Sequence, residues 1–354
     1  ALEHVKAGFV LSIPLVLVAA LNAVFLPFTF RYLLKPFFAL LILTGSLVSY
    51  AMLKYGVIFD MGMMQNIIET NSGEAGSYLN GSVVLWFLLT GLLPVLVLLW
   101  VKIEYPRPWY KGLGLRLGSI ALSLLFLMGA AALYYQDYAS VGRNNHSIVK
   151  EIVPSNYVRG LYRYARDILF ATPVPYEPIG TDARVVAKSD KPTLMFLVVG
   201  ETARSQNYSL NGYQKETNGF TMKEPDLVSF RDVRSCGTAT AISVPCMFSN
   251  LTRREYDETL AKSRDGLLDV LQHAGVSVLW KENDGGCKGV CNHVPTLEIE
   301  PKTFPEYCEG DSCYDEVLLQ GLDQQIAGMK GKQGSKLVAF HLMGSHGPTY
   351  YRRY

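Results

Sequence analysis

Thr193-Leu-Met-Phe-Leu-Val-Val-Gly200, followed at once by Glu201, is the stretch that decides the fold of the second half of this chain. Unbroken apolar residues rich in β-branched valine predict a strand buried on both faces, as at the centre of a parallel sheet. Two more apolar, β-rich runs follow, at 276–280 and at 336–341, the first of them preceded by a helical pattern over 265–274. Strands alternating with helices predict an α/β domain with a mostly parallel central sheet. In such sheets ligands bind beyond the carboxyl ends of the strands. Glu201 and His341 both fall at such ends, and a site is expected there.

Working back towards the N-terminus, residues 136–192 are polar and punctuated by Pro154, Pro173, Pro175 and Pro178. Within them Tyr157, Tyr162 and Tyr164 alternate with Arg159, Arg163 and Arg166 at roughly helical spacing. That pattern predicts an amphipathic helix on a membrane surface and then a linker. An ordinary solvated connecting helix fits it equally well.

Residues 1–135 are of a different composition. Four apolar runs, at 8–28, 36–54, 83–101 and 115–135, carry no Asp, Glu, Lys or Arg in their middles. About 20 helical residues at ~1.5 Å rise cover the ~30 Å of bilayer hydrocarbon, so each run can span. The chain is therefore expected to have a transmembrane domain (1–135), an amphipathic and linker segment (136–192) and a catalytic α/β domain (193–354). The first run is too long for a secretory signal and lacks a small-residue cleavage site. Arg31 and Lys35 lie in the first connection, and Lys102, Arg107, Lys111 and Arg116 lie around the third. The connection at 55–82 has no basic residue but carries Asp60, Glu69 and Glu74. Positively charged connections stay in the cytoplasm, so the acidic loop and everything after Tyr135 are expected outside it. A chain that begins outside without a signal suggests that an earlier span precedes it.

Cysteine usage points the same way. All six cysteines follow Tyr135 and form three close pairs: Cys236 with Cys246, Cys287 with Cys291, and Cys308 with Cys313. An even, paired set reads as disulfides in an oxidising compartment. Six cysteines allow 15 connectivities, of which the nearest-neighbour set is the expected one. A net charge of +2 and the lack of basic clusters interleaved with aromatics argue against a nucleic-acid partner.

Three elements carry chemistry. Glu201 ends an apolar strand, where a carboxylate is costly without a partner or a cation; the alternative is a cap on a following helix. Ser235-Cys-Gly-Thr-Ala-Thr-Ala-Ile-Ser-Val-Pro-Cys-Met-Phe-Ser249 sets small hydroxyls before a helix-compatible segment. Such a place suits phosphate binding and an activated nucleophile, although Thr238 and Thr240 could also be plain N-caps. His341-Leu-Met-Gly-Ser-His-Gly-Pro348 places two histidines in and after a strand end, before a Gly/Pro turn.

Together, in this order and behind a membrane anchor, these elements resemble the lipid A phosphoethanolamine transferases of the alkaline phosphatase/sulfatase superfamily. The resemblance also rests on Val199-Gly-Glu-Thr-Ala-Arg204, Ser209-Leu-Asn-Gly-Tyr213 and Asn283-Asp-Gly-Gly-Cys-Lys-Gly289, and it covers essentially the whole chain. It implies zinc as cofactor, Thr240 as nucleophile and metal contact, and Glu201 as a zinc ligand. Lys288, His346 and His341 match residues that bind the phosphoryl group or a second zinc. Asn66, Thr70 and Glu74 match residues that hold the phosphoethanolamine headgroup, and their i, i+4, i+8 spacing would put them on one helical face. A serine three residues before the lysine in some relatives is Gly285 here.

The mechanism so implied is ping-pong, with phosphatidylethanolamine as donor, lipid A as acceptor and a phosphoethanolamine-threonine intermediate. The setting would be the bacterial inner membrane, with the catalytic domain in the periplasm and the protein a monomer. Core-sugar phosphoethanolamine transfer and phosphoglycerol transfer are the nearest rivals, and a lipid-binding sensor or transporter is the non-enzymatic one. The family's Ser-Asp-His-Gly-Glu motif does not occur in this chain. The sequence therefore reads as incomplete, and inactive alone.

Overall fold

A computed structural model describes residues 7–70, 72–106, 108–145, 148–170, 172–186, 191–331 and 334–347, with side chains except at 72–74 and 149. The chain divides into two compact units, Ala1–Gln65 with Leu79–Leu169, and Asn66–Tyr78 with Phe170–Tyr354.

Among the described residues, the first unit contains four helices long and apolar enough to cross a membrane: Ala7–Phe28, Leu34–Tyr55, Gly81–Trp100 and Trp109–Asn144. Small polar groups tie them in pairs, the usual device where apolar surface gives no preference between neighbour and lipid. Asn22 Nδ2 donates to the hydroxyls of Ser119 and Ser123 at 3.0 and 2.9 Å, joining the first helix to the fourth. The Ser46 and Thr90 hydroxyls lie 2.8 Å apart between the second and third. The fourth helix runs on past Tyr135, with a kink at Tyr134 where the backbone leaves helical geometry. The apolar run stops there, but Gln136, Asp137 and the residues after them still form helix; polarity marks where lipid ends rather than where a helix must. Ser155–Leu169 is a helix that buries Asn156, Tyr157 and Gly160 on one side.

The second unit is built on a parallel sheet in the order β1-β6-β2-β3, with β1 Leu194–Val199, β2 Ser277–Glu282, β3 Thr296–Glu298 and β6 Lys336–His341. A small antiparallel pair, β4 Cys308–Glu309 and β5 Ser312–Cys313, stands apart from it. After their first residues β2 and β6 are buried throughout, with successive side chains filling opposite faces. Val278, Trp280, Leu337 and Ala339 pack with Val199, Phe248 and Leu268. Leu279, Val338 and Phe340 pack with Val317 and Leu318. Trp280 is wholly enclosed, and truncating it to Ala would cost about 3–5 kcal/mol.

The expected position of β1 needs correction. It is an edge strand, pairing only with β6 among the described residues, and Leu194, Met195, Phe196 and Val198 are exposed. Apolar, β-branched composition specifies an extended backbone, but which strands flank it is a non-local matter that composition does not encode. The three disulfides are Cys236–Cys246, Cys287–Cys291 and Cys308–Cys313.

Candidate metal centre

Parallel register aligns the ends of three strands: His341 of β6 stands beside Val199 of β1 and Glu282 of β2. The residues following β1 and β2, Glu201 and Asp284, therefore emerge at the same end of the sheet as His341. The three residues each offer a ligand atom within 4.8 Å of the others.

His341 has no exposed surface, and its Nδ1 lies 3.0 Å from both carboxylate oxygens of Glu282. Trp280 Nε1 donates to Glu282 Oε2 at 2.8 Å and the Asp284 N–H donates to Oε1 at 2.7 Å. Burial pushes the Glu282 carboxyl up, but the hydrogen bond and charge of His341, with the Trp280 and Asp284 donors, outweigh it and hold its pKa below the usual value. An ionised carboxylate only accepts, so His341 Nδ1 carries a proton and donates to Glu282. Nε2 is buried with no hydrogen-bond partner, and Asp284 Oδ2 lies 3.5 Å away. That is beyond the 2.7–3.2 Å of an N–H···O bond. Two ligands of one tetrahedral zinc, each ~2.0–2.2 Å from the metal, sit about 3.4 Å apart. The donor set and the spacing both fit a borderline divalent cation.

Thr240 stands beside this set. It is the first residue of the helix Thr240–Phe248, whose N-cap is Ala239, so neither threonine caps the helix. The Thr240 hydroxyl donates to Glu201 Oε2 at 3.1 Å, and Thr202 donates to Oε1 at 2.6 Å. Thr238 is exposed. The first element after Glu201 is a 3-10 turn at Ser205–Asn207 and not an α-helix, which removes the capping explanation for that carboxylate. The positive end of the Thr240 helix and its first-turn N–H groups favour an anion beside the hydroxyl.

The loop after β6 closes on Glu201. A Cβ at Gly344, where φ is +50°, would come within 2.9 Å of the Glu201 carbonyl oxygen, so only glycine permits this approach. Asp315 accepts from the N–H groups of Met343 and Gly344 at 2.8 and 2.9 Å and from Asn283 Nδ2 at 2.8 Å. One carboxylate thus fixes the loops that follow β2 and β6.

Lys288 is half-buried, inside the Cys287–Cys291 loop, with φ +52°. His346 holds Gly347 O through Nδ1 at 2.8 Å; a carbonyl cannot donate, so the proton is on Nδ1. Asn66 ends up in the helix Met61–Glu69, and the Thr70 hydroxyl donates back to the Asn66 carbonyl at 2.6 Å. The single face expected for Asn66, Thr70 and Glu74 does not form, because the helix stops at Glu69 and a separate one occupies Ser72–Ser77. Thr70 and Asn71, between the two helices in sequence, are poor helix formers. The Glu74 side chain lies outside the described residues.

Sequence reasoning missed Glu282, Asp284 and Asp315, and sought the remaining metal ligands in a motif this chain does not contain. Ending β2 at Trp280 left 281–284 as loop. Extending the strand to Glu282 would have put Asp284 under the same strand-end rule that picked out Glu201.

Residues 17–169 match the model of the phosphoethanolamine transferase EptA/EptB family, and residues 193–354 match the sulfatase model. Phosphoethanolamine transferase EptA of Escherichia coli K12 is 40% identical over 347 residues, which is 97% of this chain and 62% of the relative. Phosphatidylethanolamine transferase Mcr-1 of Escherichia coli is 36% identical over 98% of this chain and 66% of its own length. The integral membrane lipooligosaccharide phosphoethanolamine transferase A from Neisseria meningitidis superposes with a TM-score of 0.91 at 38% identity, over 99% of this chain and 66% of that one. The chain thus spans somewhat under two thirds of the length of these relatives. The two domain matches follow one another in chain order, and over nearly its whole length the chain is homologous to phosphoethanolamine transferases of the integral-membrane EptA type.

Proposed function

We propose that the whole protein transfers phosphoethanolamine from phosphatidylethanolamine to a phosphate of lipid A, by way of a phosphoethanolamine ester on Thr240. The observation that carries this reading is the Thr240 hydroxyl, at a helix N-terminus, donating to Glu201 of the cation cluster at 3.1 Å. Names of relatives supply phosphoethanolamine, phosphatidylethanolamine and lipooligosaccharide, and lipid A as acceptor rests on the sequence resemblance.

Zinc is the proposed cation, held by Glu201, Asp284 and His341 with Thr240 as fourth donor; when bound it supplies Lewis acidity that favours the ionised hydroxyl. Glu201 Oε2 holds the hydroxyl proton and orients the oxygen. The Thr240 oxygen attacks phosphorus, the bond from phosphorus to the glycerol oxygen breaks, and diacylglycerol leaves with a proton on that oxygen. A phosphate oxygen of lipid A then attacks the same phosphorus, and the Thr240 oxygen leaves and is reprotonated. The helix N-terminus, Lys288 and His346 stabilise charge on the phosphoryl oxygens in both steps. Asn66, Thr70 and Glu74 bind the headgroup. The same chemistry delivered to a core sugar would use the same residues.

The test is headgroup release by the full-length protein in phosphatidylethanolamine vesicles, followed by mass spectrometry of added lipid A. Zinc-dependent release with modification of a lipid A phosphate is the expected result. Release with modification only of core sugars would move the acceptor, and absence of zinc-dependent release would reject the reading.

A further inference from the structure

A second cluster of the same composition lies away from the strand ends. Asp265 and Asp269 are 6% and 7% exposed, at the start of the helix Leu267–His273, and with His293 they place ligand atoms within 4.8 Å of one another. Three of the four carboxylate oxygens are satisfied. Tyr176 donates to Asp265 Oδ1, and Asp265 Oδ2 faces Ile179 N at 3.0 Å and His273 Nε2 at 2.9 Å. Asp269 Oδ2 accepts from Gly266 N at 2.7 Å. The fourth oxygen, Asp269 Oδ1, is buried with no hydrogen-bond partner, and faces His293 Nδ1 at 3.4 Å. Tyr176 OH lies 3.0 Å from the same nitrogen.

Two enclosed carboxylates this close repel unless a positive charge compensates them. The 3.4 Å separation is too long for a hydrogen bond and matches the spacing of two ligands on one tetrahedral cation. The same pairing, an unpartnered buried ligand atom with an N···O gap near 3.4 Å, marks the cluster at the strand ends.

We infer that Asp265, Asp269 and His293 form a second divalent-cation site, structural in role and distinct from the centre at Glu201. Nitrogen with carboxylate oxygen selects a zinc-like ion over magnesium or calcium. His293 is about half exposed, which gives the ion a path in and leaves a position for water. The cation would join the segment carrying Asp265 and Asp269 to the residue two places beyond Cys291, and so brace the disulfide loop that holds Lys288.

The experiment uses tag-free full-length protein, stripped with a chelator, re-equilibrated with zinc and freed of excess metal. Total zinc is measured by plasma mass spectrometry and Tm with and without zinc. His293→Ala should hold one zinc equivalent fewer than the parent and lose part of the zinc-dependent rise in Tm. The one-equivalent difference should persist when both proteins also carry Glu201→Gln, which affects only the first centre. Asp269→Asn should match His293→Ala if it folds; the exposed His293 keeps the test open if it does not. Equal zinc content in parent and His293→Ala, in either background, would overturn the inference.

Discussion

The two clusters contain the same kinds of atoms and are built for different ends. Each combines two carboxylates with an imidazole, and each has an N···O separation of 3.5 or 3.4 Å beside a buried atom with no hydrogen-bond partner. At Glu201 the ligands come from three separate strand ends, and a threonine at a helix N-terminus reaches into the set. At Asp265 the two carboxylates come from one turn of chain, and the neighbouring hydroxyl, Tyr176, is engaged with Asp265. Burial and the Asp265 hydrogen bond raise the Tyr176 pKa, which keeps that phenol protonated and a poor nucleophile. Ligand chemistry alone therefore does not make a reaction centre; the added requirements are an available hydroxyl and an anion-favouring helix end beside it.

Substitutions separate the two. Thr240→Ala should cause the largest effect, abolishing headgroup release while the protein stays folded, whereas Thr238→Ala should keep substantial activity; a turnover assay on both decides it. Asp284→Asn and His341→Ala should come next, with loss of one zinc equivalent and of most activity, read by metal analysis on the purified variants. If Asp284→Asn retains full zinc and full turnover, Asp284 is not part of the first centre. Glu282→Gln removes a charge but no ligand. By weakening the fixed tautomer of His341 it should lower metal affinity about 10–100-fold, the usual cost of losing such a partner, measured by competition with a zinc chelator. His293→Ala should lower Tm and reduce kcat far less than Asp284→Asn or His341→Ala, and a fall as large as theirs would mean the two clusters act as one. Alanine at Asn66, Thr70 and Glu74 together should raise the KM for the donor lipid. An unchanged KM would leave them as a solvated surface.

Much of this was legible in the sequence because it depends on local pattern. The four spans follow from apolar length, and Glu201 and His341 were found because strand ends can be read from composition. What escaped depends on contacts distant in sequence. Asp315 matters only because the loops after β2 and β6 meet at it, across 28 to 32 residues of chain. The edge position of β1 depends on which strands pair, and the break at Glu69 on how a short polar stretch ends a helix. Asp265 and Asp269 lie within a helical pattern and His293 carries no local signal, so only folding brings the three together.

The central claim is that Thr240 carries the transferred group. The most direct measurement is peptide mass spectrometry of full-length protein quenched after exposure to phosphatidylethanolamine without acceptor. A phosphoethanolamine adduct on Thr240, absent from Thr240→Ala and lost on addition of lipid A, is the predicted result. An adduct on Thr238 or on any other residue, or normal turnover by Thr240→Ala, would contradict it.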